Sequence, residues 1–163
     1  MPTKANLRQQ LKQARLRMNS TDRAAHSQAI IKQLKNSIDW STIKSLHYFE
    51  PIHDQMEPDI SPFIAELKSE YPQLEMVAAH SKTPPTDKFD VIIVPMLGFD
   101  PKTLHRIGYG GGYYDKFLAV QPQARKIGVC FELGKTDLPS EPHDVPLDLI
   151  VTEAPQIVQK FPN

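Results

Sequence analysis

The sequence is poor in the residues that mark several common classes of protein. Its 163 residues include one cysteine, Cys130, which excludes an internal disulfide framework and favours a reducing compartment, the cytoplasm. Neither this cysteine nor the six histidines form the paired spacings of a zinc site. No apolar run approaches the length of a membrane span. The net charge is zero, which argues against a general nucleic-acid-binding protein.

The first 21 residues carry five basic side chains and no acid, as an amphipathic transit peptide would. An apolar stripe at helical spacing continues from this segment into the next element: Leu7, Leu11, Ala14 and Met18. We therefore interpret the segment as a permanent helix. Lys4, Arg8 and Lys12 recur every four residues along another line of that helix, where a solvated face is the usual meaning.

Strand-like apolar segments alternate with amphipathic helical segments along the chain. The expected strands are 43–49, 75–79, 91–94, 126–131 and 147–152. Segment 91–94 is apolar on both faces, as in a central parallel strand. We predict an α/β fold over residues 1–163: a single compact layered domain with a mostly parallel central sheet flanked by helices.

Three loops are expected beyond the carboxyl ends of these strands, where ligands bind in such sheets: 53–57, 98–115 and 138–146. The second loop holds the segment RIGYGGGYYD at 106–115, which contains four of the seven glycines. A glycine-rich turn before a helix exposes backbone N–H groups that attract phosphate. Its spacing matches neither the P-loop nor the dinucleotide-binding fingerprint. Charged neighbours make a bare surface loop the weaker interpretation.

The charged residues near this turn suit nucleotide chemistry. Arg106, Lys4 and Arg8 could offset the charge that moves during phosphoryl transfer. Asp115 and Asp144 are the candidate Mg²⁺ ligands, because this ion prefers one or two carboxylates plus phosphate oxygens. Each acid alone would ordinarily be a helix cap or a surface charge. Cys130 lies in an apolar strand, so we expect an inert buried thiol.

A long motif runs through the centre of the chain: VIIVPMLGFD at 91–100, followed by RIGYGGGYYD at 106–115. Two weaker motifs agree with it in order and place, namely Lys4-x-x-x-Arg8 and His143-Asp144 followed by LDLIV at 147–151. Together these segments resemble the 5-formyltetrahydrofolate cyclo-ligase (methenyltetrahydrofolate synthetase) family. The resemblance runs over nearly the whole chain, and the central motif is its specific part.

The resemblance implies an enzyme that depends on ATP and Mg²⁺. In the implied reaction, the formyl oxygen of 5-formyltetrahydrofolate takes the γ-phosphoryl group of ATP. The neighbouring nitrogen then closes onto the activated carbon and phosphate leaves, which gives 5,10-methenyltetrahydrofolate and ADP. The expected partners are a reduced folate and ATP, with no nucleic acid and no membrane, and the expected state is a monomer.

The resemblance also implies roles for particular residues. Arg106 and Tyr113 would have catalytic roles, and Asp115 and Asp144 would hold the metal. The residues expected to contact ATP are Lys4, Arg8, Arg106, Ile107, Gly108, Tyr109, Gly110, Gly111, Gly112, Tyr113 and Tyr114. Those expected to contact the folate are Phe49, Gln55, Glu57, Tyr109, Gly110, Gly111, Gly112 and Tyr113.

Two places depart from the family pattern. The family usually has a glutamate as a folate contact after the first strand, where this chain reads Gln55-Met56-Glu57. Either Gln55 contacts the folate through a neutral amide, or Glu57 moves into reach. The connection at 79–90 is also shorter than the usual family segment.

These departures leave other functions open. One is a relative with an intact ATP site and a different small acyl or amide substrate, and another is a non-catalytic protein that binds folate or nucleotide. An RNA-associated module built on the first helix has the least support, because the overall charge is neutral.

Overall fold

The computed structural model of the protein describes residues 2–80, 82–139 and 141–159. Its α-helices in these ranges are α1 Lys4–Leu16, α2 Ser20–Ser37, α3 Ser61–Glu70 and α4 Tyr113–Ala119. The strands are β1 Ser45–Tyr48, β2 Glu75–Ala78, β3 Val91–Pro95, β4 Gly98–Phe99, β5 Arg106–Ile107, β6 Arg125–Val129, β7 Leu149–Val151 and β8 Val158–Gln159. In the described residues, no helix is both long and apolar enough to cross a membrane.

Six strands form the main sheet, in the order β2-β1-β3-β6-β7-β8. The pairs from β2 to β7 are parallel, and β8 pairs antiparallel with β7. Strands β4 and β5 form a separate antiparallel pair. The predicted α/β architecture with a mostly parallel sheet is therefore confirmed, and each of the five predicted strands is present with bounds that differ by one or two residues at an end. The β4–β5 pair and β8 were not predicted.

The two faces of the sheet bury two hydrophobic cores. In β3, Val91 and Ile93 face the core that holds α2 and α3, whereas Ile92 and Val94 face the core that holds α4. This alternation follows from the two-residue period of a strand. It explains why β3 is apolar on both faces, as expected for a strand covered on both sides.

Helix α1 docks beyond the carboxyl end of β3. Leu7 and Leu11 pack with Leu97, Ile107 and Leu138 in a third, smaller apolar cluster. Leu97 lies two residues after the end of β3, and Ile107 belongs to β5, just before the glycine-rich loop. The apolar stripe predicted from the sequence thus holds the basic helix against the edge of the sheet where ligands are expected.

Candidate functional site

A cavity of about 570 Å³ lies at this edge, next to Pro95 at the end of β3. Lys4 and Arg8 of α1 line one side of it, and the whole segment 106–115 lines another. The loop after β6 contributes Glu141, His143 and Asp144. The structure therefore brings together every residue that we predicted to contact ATP or Mg²⁺.

The glycine-rich loop, residues 108–112, needs glycine for its backbone conformation and for its open surface. Gly110 has a φ of 98° and Gly112 a φ of 75°, both in the left-handed region that other residues rarely adopt. A Cβ added at Gly111 would meet no atom within 4 Å, so this backbone stays accessible from the cavity. Helix α4 begins directly after the loop and has only 7 residues. The cations around the cavity, rather than this short helix, must supply most of the attraction for phosphate.

Arg106 is the most enclosed cation of the cavity. Its side chain is 9% exposed and its Nη2 donates to Asp115 Oδ1 at 3.1 Å. Burial lowers the pKa of this guanidinium, and Asp115 opposes that shift. Its Nε is buried and has no hydrogen-bond partner among the described residues. A buried donor of this kind is costly unless a ligand oxygen satisfies it, which suits a phosphate group.

Helix α1 holds the loop and the acids from the other side of the cavity. Arg8 donates from Nε to the carbonyl oxygen of Gly108 at 3.1 Å. Lys4 Nζ lies 3.4 Å from Glu141 Oε1 and 3.5 Å from Asp144 Oδ2. This ion pairing places the amino-terminal helix over both cavity loops, an arrangement that sequence spacing alone could not establish.

The acids of the cavity lie at two separate places. Glu141, His143 and Asp144 offer ligand atoms that all lie within 4.8 Å of one another. Asp115 lines the same cavity, where it is paired with Arg106 and does not belong to that cluster. Glu141 was not predicted to contact a metal. The available indication was its position in the expected loop 138–146, three residues before Asp144.

The predicted folate contacts outside the glycine-rich loop do not line this cavity. Phe49 is buried and lines a separate cavity of about 390 Å³ between β1 and α3. Gln55 has a buried Oε1 with no hydrogen-bond partner among the described residues. Glu57 is buried, which raises its carboxyl pKa, and the nearby Arg15 and Tyr109 oppose that shift. The loop at 53–57 thus meets the site through Tyr109 and not directly.

Arg15 is a residue that the sequence interpretation missed. It is buried, and it donates to the carbonyl oxygens of Gln55 and Met96 and to the hydroxyl of Tyr109. Its position was visible in the sequence, because Arg15 continues the four-residue spacing of Leu7 and Leu11 on the apolar line of α1. By contrast, Cys130 is buried as expected, and burial raises its thiol pKa to about 12.

Comparisons with known proteins agree with this geometry. A curated relative from Mycoplasma pneumoniae, named 5-formyltetrahydrofolate cyclo-ligase, is 28% identical over 159 residues, which cover 90% of this chain and 96% of the relative. That relative is therefore about as short as this chain. A short chain such as this one, with its short connection at 79–90, is thus found among proteins named 5-formyltetrahydrofolate cyclo-ligase.

Two solved structures share the fold. The structure described as a 5,10-methenyltetrahydrofolate synthetase from Mycoplasma pneumoniae superposes with a TM-score of 0.80 at 27% identity, covering 94% of this chain and 100% of that one. The corresponding protein from Aquifex aeolicus has a TM-score of 0.79 at 24% identity, covering 96% of this chain and 92% of that one, and it supports the fold alone. The model of the 5-formyltetrahydrofolate cyclo-ligase family matches residues 72–153, half of the chain, and this chain belongs to that family.

Proposed function

We propose that the protein cyclises 5-formyltetrahydrofolate to 5,10-methenyltetrahydrofolate, with ATP converted to ADP and phosphate. The observation that carries the proposal is the cavity itself. A glycine-rich loop with the family motif faces Lys4, Arg8 and Arg106 across a space of about 570 Å³. A polyphosphate in this space would meet three cationic side chains and an open backbone surface.

Positioning and charge stabilisation account for the reaction, since phosphoryl transfer needs no protein nucleophile. Arg106 would bind phosphate oxygens through its unpartnered Nε and stabilise the charge that builds up as the γ-phosphoryl group moves to the formyl oxygen. Burial raises the pKa of Tyr113, so this phenol stays protonated and acts as a hydrogen-bond donor at the cavity wall. The folate nitrogen then attacks the activated carbon and phosphate departs, which completes the ring.

The acids of the cavity fit a Mg²⁺ ion. Asp144 and Asp115, with Glu141 beside them, present carboxylate oxygens on the same cavity as the phosphate-binding cations, and oxygen ligands are the type that Mg²⁺ takes. When bound, the ion would neutralise phosphate charge. Lys4 forms ion pairs with two of these carboxylates, Glu141 and Asp144, so its ammonium group offsets part of their negative charge.

The folate would enter beside the glycine-rich loop, with Tyr109 between the two predicted groups of contacts. Tyr109 is partly exposed at the cavity and lies close to Glu57. Phe49 follows β1 and Gln55 belongs to the loop at 53–57. The Oε1 of Gln55, which has no partner among the described residues, can accept a hydrogen bond from a pterin N–H. We expect both residues to affect the KM for folate more than that for ATP.

The direct test is the appearance of methenyltetrahydrofolate absorbance with ATP and Mg²⁺. The variants R106A and D115N should each lower kcat/KM by about 100-fold or more, the usual cost of losing a transition-state charge contact. R125A is the matched control, because Arg125 is exposed at the amino end of β6 and should keep full activity.

Two results would refute the proposal. ATP binding without product at high enzyme concentration would favour a different acyl substrate or a purely binding function. Unchanged turnover in both R106A and D115N would show that the reaction takes place elsewhere.

A further inference from the structure

We propose that Arg15 is a positioning residue that holds the glycine-rich loop in its binding arrangement by fixing Tyr109. Arg15 lies in the last turn of α1, and only 3% of its surface is exposed. It lines neither the 570 Å³ cavity nor the 390 Å³ one. Its effect on a ligand would therefore be indirect, through the groups that it holds.

The guanidinium of Arg15 joins three separate segments of the chain. Its Nε donates to the carbonyl oxygen of Gln55 at 2.8 Å, and its Nη1 donates to the carbonyl oxygen of Met96 at 3.3 Å. Its Nη2 donates to the hydroxyl of Tyr109. The planar fork of an arginine directs N–H groups on three nitrogens to three separate acceptors, whereas all the donors of a lysine come from one nitrogen. The end of β3, the loop at 53–57 and the glycine-rich loop are thereby held in one arrangement.

Tyr109 is held by its ring as well as by its hydroxyl. The Arg15 guanidinium carbon lies 5.6 Å from the ring centroid and Lys12 Nζ lies 5.9 Å from it, so the ring sits against α1 between two cations. Buried Glu57 lies close to the same side chain. The residue just before it, Gly108, is fixed by Arg8. These contacts anchor the start of the glycine-rich loop. Two residues that follow, Gly110 and Gly112, adopt left-handed conformations.

The docking of α1 has a separate basis. Leu7 and Leu11 bury the helix in its own apolar cluster with Leu97, Ile107 and Leu138. Loss of the Tyr109 hydroxyl should therefore loosen the loop without unfolding the domain. Because a flexible loop must be ordered when the nucleotide binds, a loosened loop should also bind it more weakly. Only this last consequence rests on the proposed function.

Limited proteolysis with chymotrypsin tests the proposal without any ligand. The enzyme cleaves after tyrosine and after phenylalanine, so Y109F keeps the cleavage site while it removes the hydroxyl. We expect cleavage of the bond between residues 109 and 110 to be about tenfold faster in Y109F and in R15Q than in the wild type, as loss of a charge-assisted hydrogen bond would give. The double variant should add little to R15Q, since R15Q already removes the contact with the Tyr109 hydroxyl.

R17Q is the matched control, because Arg17 is an exposed arginine two residues further along the same helix end, and it should be cleaved like the wild type. Cleavage after buried Phe131 reports opening of the whole domain. Y109F cleaved at the wild-type rate would overturn the proposal. A rise after Phe131 in proportion to that after residue 109 would also overturn it, because Tyr109 would then serve global stability alone.

Calorimetry with ATP and Mg²⁺ is the second arm, with an expected increase in Kd of several-fold in Y109F. Unchanged affinity in a variant whose loop is cleaved faster would overturn the link to binding. If the wild type itself fails to bind ATP, the proposed function is wrong, and proteolysis still decides whether Arg15 holds the loop.

Discussion

Replacing His47 with leucine is expected to remove much of the acid sensitivity of this protein. His47 lies in β1 with its side chain fully buried, and neither ring nitrogen has a hydrogen-bond partner among the described residues. Its ring packs edge-on against Phe117 and Phe89, with centroids 4.6 Å and 5.3 Å away. Burial lowers the pKa of His47 from 6.5 to about 4, and the nearby His80 adds to the shift.

The sign and size of the effect follow from this pKa. Between pH 6.5 and pH 4 the unfolded chain takes up a proton at His47 that the folded protein refuses, so the free energy of unfolding falls as the pH falls. At 1.36 kcal/mol per unit, the full loss below pH 4 is roughly 3 kcal/mol, of which roughly 2 kcal/mol is lost between pH 7 and pH 5. That is a large part of the stability of a small domain.

Urea titrations at pH 5, 6 and 7 measure this loss. Trp40 is the only tryptophan and is buried, so its fluorescence reports unfolding directly. H47L keeps a similar volume and leaves no polar group unsatisfied, so it should be more stable than the wild type at pH 7. It should also lose roughly 2 kcal/mol less than the wild type between pH 7 and pH 5. The dependence on urea concentration should stay the same.

A matched variant, L46V, changes a buried side chain of the same strand that carries no titratable group, and should keep the pH dependence of the wild type. Other buried groups titrate in the same range, and the comparison of H47L with the wild type cancels their contribution. Equal losses of stability in H47L and the wild type between pH 7 and pH 5 would refute the reasoning.

Three further substitutions test local features of the fold, each by urea titration against the wild type. N19A should cost about 1 kcal/mol, because Asn19 caps α2 by accepting the backbone N–H of Asp22 at 2.8 Å; N19S should retain most of the stability. G112A should cost about 1–2 kcal/mol from its left-handed φ alone, and wild-type stability would contradict this. G128A should cost about 1–3 kcal/mol because its Cβ would collide with the Met96 side chain. G111A should cost less, because the space around Gly111 is open.

The sequence was informative wherever a feature is local. Strand β3 has the apolar run of a doubly covered strand, and α1 has its apolar stripe at helical spacing, so both elements followed from periodicity. The glycine-rich loop was also predictable, since positive φ values at Gly110 and Gly112 need that residue type. Strands β4, β5 and β8 were missed because strands of two residues are too short to show a period.

The residues predicted to contact ATP or Mg²⁺ line one cavity, whereas three of the predicted folate contacts lie outside it. Lys4, Arg8 and the segment 106–115 meet at one cavity, as their loops at the carboxyl edge of the sheet suggested. Gln55 and Glu57 come from the expected loop, and Phe49 from the end of the expected strand before it, but none of them lines that cavity. A loop can be assigned to an edge of the sheet from the order of strands, whereas the direction of each side chain depends on what packs around it.

By itself, the sequence determined the layered α/β fold, the basic first helix and the glycine-rich loop, because each depends on neighbours in the chain. Only the tertiary structure decided that Lys4 reaches Asp144, 140 residues away, and that buried Arg15 fixes Tyr109. These contacts depend on how α1 docks beyond β3. Their partners are distant along the chain, and the energy that selects them comes from packing rather than from local propensity.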